Sequence, residues 1–236
     1  MRYLALATDY DGTLAHHGLV AETTLAALAK LRDSGRKLIL VTGREMDELL
    51  SIFPAINLFE RVVAENGALV YEPATRAFRI LTEPPPPRFV EALRRRNVGP
   101  ISVGRVIVAT WKPHETTVLE TIRDLALDLQ VIFNKDAVRV LPASVNKATG
   151  LAAALKELEL SAHQVVGVGD AENDLAFMAT SGCAVAVQNA LPTVKERADL
   201  VTPGDHGRGV EQLIEHLLTD DLQIVQERLS LKLRGT

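Results

Sequence analysis

Six short segments of the chain, residues 3–8, 38–42, 61–64, 165–169, 183–187 and 200–202, are apolar nearly throughout and rich in Val, Ile and Leu. A strand with one wet face alternates apolar and polar residues, whereas an unbroken apolar run suits a parallel strand covered on both sides. Between the runs lie stretches of helical periodicity at 22–34, 44–53, 148–159, 174–181 and 209–218. Gly35 closes the first of these and Pro54 stops the second, as helix-ending residues do. The alternation predicts an α/β fold, a doubly wound, Rossmann-like parallel sheet. Such sheets place their sites beyond the carboxyl ends of the strands, so the residues just after each run carry the most information.

One segment breaks the rhythm. Residues 68–71 and 77–81 read as a hairpin, and Pro84-Pro85-Pro86-Pro87 follows as a stiff connector that neither a helix interior nor a central strand accepts. Beyond it the pattern predicts a helix over 88–96, a strand over 102–109, a helix over 115–129 and short strands at 131–133 and 138–141. Residues 84–142 are therefore read as a small inserted α/β domain, with 1–83 and 143–236 forming the core. The closing stretch, 220–236, reads as a charged helix with Leu222, Val225 and Leu229 on one side.

Composition removes several classes. The 236 residues are 47% hydrophobic, enough for a sizeable core, and carry 30 acidic against 26 basic side chains, net −4, which leaves no basic footprint for nucleic acid. Arg94-Arg95-Arg96, the one dense basic cluster, reads as a solvated helix face. The single cysteine, Cys183, permits no internal disulfide and sits in an apolar run as a small buried residue. No apolar run reaches the roughly 18 residues needed to cross a bilayer. A cytoplasmic protein with no membrane or nucleic-acid partner is expected.

The chemistry concentrates at strand ends. Asp9-Tyr10-Asp11-Gly12-Thr13-Leu14 directly follows the first run. Two carboxylates two residues apart can face one side, where they repel each other and call for a cation. The pattern lacks the further ligands and terminal Glu of a calcium loop. Gly169-Asp170-Ala171-Glu172-Asn173-Asp174 adds Asp170 and Asp174 at the end of another run. Four acids meeting at one sheet edge suit a hard divalent ion such as Mg²⁺, although Asp170 as a helix cap and Asp174 as a first-turn acid is the structural alternative. Gly167 and Gly169 do not complete a dinucleotide fingerprint, because Glu172 occupies the third glycine position. Thr42, Gly43 and Arg44 close the second run and offer a hydroxyl and backbone N–H groups as a phosphate cradle. Lys147 stands where the chain re-enters the core, and Asn66 follows the third run, a pocket-lining or turn residue.

In this order the pieces resemble the haloacid dehalogenase superfamily of phosphohydrolases, in particular its Cof-like branch, subfamily IIB. The resemblance spans nearly the whole chain. It implies Asp9 as nucleophile, Asp11 as general acid/base, and Thr42 and Lys147 as phosphate ligands, with Asn173 helping to hold the phosphoryl group. It further implies Mg²⁺ bound by Asp9, the backbone carbonyl of Asp11 and Asp170, with Asp174 in or near the metal shell. It implies that the insertion 84–142 is a cap domain, shorter than is usual in that branch. The function expected is a Mg-dependent phosphomonoester hydrolase acting through an aspartyl-phosphate on a small phosphorylated metabolite, either a sugar phosphate or a phosphoglycolate-like acid. A phosphomutase using the same nucleophile and a non-catalytic receiver-like phospho-Asp module are the alternatives. From the cap, Lys112, His114 and Arg139 are candidates to meet the leaving group.

Overall fold

A computed structural model describes residues 1–134 and 136–223. Its larger sheet has eight strands in the order β12-β11-β10-β1-β2-β3-β4-β5. At its centre β1 (Ala5–Thr8) pairs in parallel with β2 (Lys37–Val41) on one side and β10 (Val165–Gly169) on the other. Further parallel pairs join β2 to β3 (Arg61–Ala64), β10 to β11 (Cys183–Ala186) and β11 to β12 (Leu200–Val201). The predicted hairpin, β4 (Leu69–Glu72) and β5 (Ala77–Ile80), adds an antiparallel edge. Every residue of β1 and β10 is buried, which is why these runs contain almost no polar side chains.

Connectivity fixes the site. The chain first winds from β1 toward β2 and β3, then returns to β10 on the opposite flank of β1. Beyond the carboxyl ends of β1 and β10 the crossovers diverge and leave a crevice, where open α/β sheets bind ligands.

A second, four-stranded antiparallel sheet has the order β6-β7-β9-β8, formed by Ser102–Val103, Val108–Trp111, Ala137–Pro142 and Leu129–Asn134 respectively. Helices α3 (Pro87–Arg95) and α4 (Glu115–Asp124) supply Phe89, Leu93, Val118 and Ile122 to a separate apolar cluster with Val108, Val138 and Val140. Ala68 of the larger unit, with Val106, Leu141 and Val145, forms a small seam between the two.

Local boundaries differ from the sequence reading in instructive ways. The strand expected over 102–109 is two strands, because the chain turns at 104–107. The helix expected over 115–129 ends at Asp124, and Leu129 already begins β8. Helix α2 (Met46–Ile52) starts two residues later than expected, since Arg44 and Glu45 remain outside it. Helix α8 (His206–Thr219) starts earlier than expected, and Leu222 after it is buried. Val225 and Leu229 of the expected terminal helix lie outside the described residues. Arg94, Arg95 and Arg96 are exposed, and burial pushes the Cys183 thiol up to about 12. No helix among the described residues is long and apolar enough to cross a membrane.

Candidate active site

Asp9 is the first residue beyond β1, and its backbone N–H continues the ladder to Val168 O at 3.0 Å. The residue is only 3% exposed. A carboxylate so placed needs a partner, and Lys147 provides it, with Nζ 2.5 Å from Asp9 Oδ1 and 2.6 Å from Asp174 Oδ1. Lys147 opens α5 (Lys147–Glu157), so the helix start aims the ammonium. That start is fixed by a capping box, in which Asn146 Oδ1 accepts from Ala148 and Thr149 N–H while Thr149 Oγ1 accepts from Asn146 N–H. The Asn-x-x-Thr spacing was available in the sequence as the signal for this geometry.

Asp170 and Asp174 follow β10. Asp174 Oδ2 accepts from the backbone N–H groups of Asp170 and Ala171, both at 3.0 Å, and Thr13 donates to Asp170 Oδ1 at 3.0 Å. Gly12 takes φ +89°, and a side chain there would run into the Asp170 carboxylate, so the loop after β1 must carry glycine at this point. Asp9, Asp170 and Asp174 each bring one oxygen within 4.8 Å of the others. Burial, then the charges of Asp174 and Asp170, raise Asp9 well above the usual carboxylate range, although Lys147 opposes them. Burial and Asp174 push Asp170 up to about 6. For Lys147 burial acts downward, but Asp174 and Asp9 outweigh it and hold the ammonium charged. Three crowded carboxylates against one ammonium leave an excess of negative charge that a hard divalent cation with oxygen ligands fits.

The fourth acid behaves otherwise. Asp11 does not join this carboxylate group; it turns to Arg44, whose Nε and Nη2 each lie 2.6 Å from one of its oxygens. Arg44 also pairs with Glu48 and stacks over Tyr10, its guanidinium carbon 5.5 Å from the ring centroid. Four converging acids thus become three, and Arg44 contributes its side chain to Asp11 rather than to a phosphate cradle. Its backbone N–H is likewise used, donating to Thr42 Oγ1 at 3.1 Å. Thr42 itself is fully buried.

Asn66 adopts φ 55°, ψ 33°, and its Oδ1 accepts from Asn173 Nδ2 at 3.1 Å, leaving its own buried Nδ2 with no hydrogen-bond partner. A methyl group built on Gly43 would sit 3.0 Å from Asn66 Oδ1 and 3.4 Å from Arg139 Nη1, so the two side chains flank the Gly43 backbone. Arg139 therefore joins the site from β9. Lys112 and His114 do not, the first facing Asp136 at 3.9 Å on the surface and the second bound to Gly99 O at 2.9 Å. Asp9, Asp11, Gly43, Arg139, Lys147 and Asn173 enclose a narrow space of about 10 Å³, too small for a phosphoryl group. Beside it opens a cavity of about 570 Å³ lined by Asn66, Gln130, Phe133, Lys147, Asp170 and Asn173 among others.

Glu65 carries no motif that marks it in the sequence. It is fully buried, and its carboxylate accepts from the N–H groups of Arg105, Val106 and Ile107 at 3.0, 2.7 and 2.8 Å. A side chain on Gly104 would lie 2.8 Å from that carboxylate, so the β6–β7 turn needs glycine to close over it. A carboxylate buried next to Asn66 thus fastens the second sheet to the first.

An α/β sheet that gathers acids and a buried lysine at its switch point can hold a cation and an anionic group side by side. The chain belongs to the haloacid dehalogenase-like hydrolase family, whose model matches residues 6–98 and 100–214, and it is a phosphatase. It is 30% identical over 226 residues to a phosphoglycolate phosphatase of Methanothermobacter thermautotrophicus, covering 91% of this chain and 98% of that one. Its fold is similar to a haloacid dehalogenase-like hydrolase from Bacteroides thetaiotaomicron, with TM-score 0.79 and 18% identity over 91% of this chain and 99% of the other. It is also similar to a subclass IIB sugar phosphatase, with TM-score 0.72 and 18% identity over 90% and 98% of the two chains.

Proposed function

We propose that the chain hydrolyses small phosphomonoesters with Mg²⁺ through an aspartyl-phosphate on Asp9. The carrying observation is the Asp9 carboxylate, buried at the sheet's switch point and gripped by Lys147 within a three-acid cluster. Asp9, Asp170 and the backbone carbonyl of Asp11 would hold the metal, with Asp174 in or near its shell. Bound there, Mg²⁺ neutralises phosphoryl charge and so permits an anion to attack an anion.

The chain's own residues do the rest. An Asp9 oxygen attacks phosphorus in line with the departing oxygen, forming an acyl phosphate. Lys147, the Thr42 hydroxyl, the Gly43 N–H and Asn173 hold the phosphoryl oxygens. Asp11 gives a proton to the leaving alcohol and then removes one from the water that cleaves the acyl phosphate. Because Asp11 is engaged by Arg44, one of its oxygens must leave that pair to carry the proton. We assign residues 84–142 as the cap. Its apolar cluster, separate from that of the core, supports movement relative to the core, and the narrow space beside Asp9 must widen to admit a phosphoryl group. One buried free cysteine suits a reducing compartment, and we place the enzyme in the cytoplasm.

Phosphate release from a panel of phosphomonoesters, with MgCl₂ or with EDTA and beside Asp9→Asn, tests this reading. Turnover that needs the metal and vanishes in Asp9→Asn is expected; unchanged release by Asp9→Asn would refute the nucleophile.

A further inference from the structure

Along β9 the side chains of Val138 and Val140 enter the apolar cluster beneath α3 and α4. Arg139 between them must face the other way, and it does so toward Asp9, Asp11 and Gly43. Among the described residues its guanidinium makes no hydrogen bond and no ion pair within 4.0 Å. Asp11, Glu48 and Asp9 attract it through space, while Arg44 repels it. Each of those acids is already engaged, Asp11 and Glu48 by Arg44 and Asp9 by Lys147. Glu45 lies near both Arg139 and the Ser102 hydroxyl. A half-buried guanidinium thus carries its desolvation cost without a partner, beside the equally unpartnered Nδ2 of Asn66 across Gly43.

In-line attack by Asp9 sends the leaving oxygen away from the larger sheet, toward the sheet that carries Arg139. The phosphoryl oxygens already have Lys147 and the residues around Thr42. What remains for Arg139 is the alcohol half of the ester. Its planar fork of donors matches a carboxylate at two points, which a sugar hydroxyl cannot do. We propose that Arg139, with Asn66 beside it, forms a subsite for a carboxylate on the leaving group. The enzyme then selects small phosphomonoesters of hydroxy acids. This rests on the hydrolase reading above.

The test compares 2-phosphoglycolate with ethyl phosphate, which replaces the carboxylate by a methyl group. Arg139→Met should lower kcat/KM for 2-phosphoglycolate by about tenfold to a hundredfold, the range for hydrogen bonds to charged groups, and leave ethyl phosphate within about threefold. Arg139→Lys should fall between. Equal losses on both esters, or a wild type that does not favour 2-phosphoglycolate, would overturn the subsite. Calorimetric binding to Asp9→Asn in MgCl₂ removes turnover from the comparison. Adding Arg139→Met should there weaken 2-phosphoglycolate by about tenfold or more while inorganic phosphate binds as before. Equal weakening of both ligands again overturns the subsite. If no ester is hydrolysed yet binding depends on Arg139, the hydrolase reading fails and the subsite stands.

Discussion

Asp11 and Arg44 form a two-point ion pair, with Nε and Nη2 each 2.6 Å from a carboxylate oxygen. The pair fixes where the Asp11 oxygens point, and a proton donor must be aimed at the leaving oxygen. Arg44→Ala should therefore lower kcat about tenfold to a hundredfold on an alkyl phosphate, part of the usual contribution of positioned acid catalysis. On p-nitrophenyl phosphate, whose leaving group departs without a proton, the loss should be small. In an Asp11→Asn background Arg44→Ala should add nothing further. A loss equal on both esters would mean that Arg44 acts on the phosphoryl group instead.

Lys147 is 2% exposed and lies between Asp9 and Asp174, 3% and 0% exposed. Removing one member of a buried ionic set leaves charge uncompensated, which costs about 3–5 kcal/mol. Lys147→Met should show a loss of that order in urea unfolding with EDTA present, read from a shifted midpoint at constant slope. MgCl₂ should restore part of it. A variant as stable as wild type in EDTA would show that the acids do not depend on this ammonium.

Much of this site is legible in the chain because it is local. Asp9, Asp170 and Asp174 each sit within a few residues of an apolar run, and the runs dictate the sheet whose ends bring them together. Lys147 follows from the re-entry of the chain into the core. What the sequence conceals is partner choice across distance. Nothing near Arg44 says that Asp11, 33 residues away, claims its guanidinium. Glu65 binds three backbone N–H groups some 40 residues on, and backbone donors leave no trace in residue type. Arg139, Lys112 and His114 look alike as basic residue types of the inserted segment, yet only the β9 register turns Arg139 toward Asp9. The divided β6 and β7 strands escaped because Val106 and Ile107, apolar enough for a strand, bend over Glu65 instead.

Asp170 binds its proton in the folded chain up to about pH 6, against 3.8 for an ordinary aspartate, and Asp9 is raised as well. Between those values the folded state holds protons that the unfolded state has released. In the metal-free protein this contribution to stability is present at low pH and is lost as pH rises from about 4 through about 6. Melting in EDTA should thus show a steeper fall across this window for wild type than for Asp170→Asn. Saturating MgCl₂ should raise Tm more at pH 7 than at pH 5, because binding competes with those protons. Parallel profiles for the two proteins in EDTA would contradict the assignment.

Glu65 Oε2 accepts from Val106 and Ile107 N–H, and Oε1 from Arg105 N–H, in a fully buried setting. Glu65→Ala strands three donors at the seam, and an unsatisfied buried donor costs about 1–3 kcal/mol. The same turn leads into β7, whose Ala109 pairs with Arg139. Loosening it should therefore reach the substrate side before the nucleophile. Amide exchange at residues 105–107 should accelerate, and KM for the preferred substrate should rise several-fold. Turnover of p-nitrophenyl phosphate should stay near wild type, since Asp9 follows β1 and Lys147 opens α5, both outside the second sheet. Glu65→Gln keeps an acceptor in place and should show a weaker form of the same pattern. If Glu65→Ala instead lost kcat on every ester with KM unchanged, Glu65 would be supporting Asn66 and the phosphoryl group rather than holding the second sheet in place.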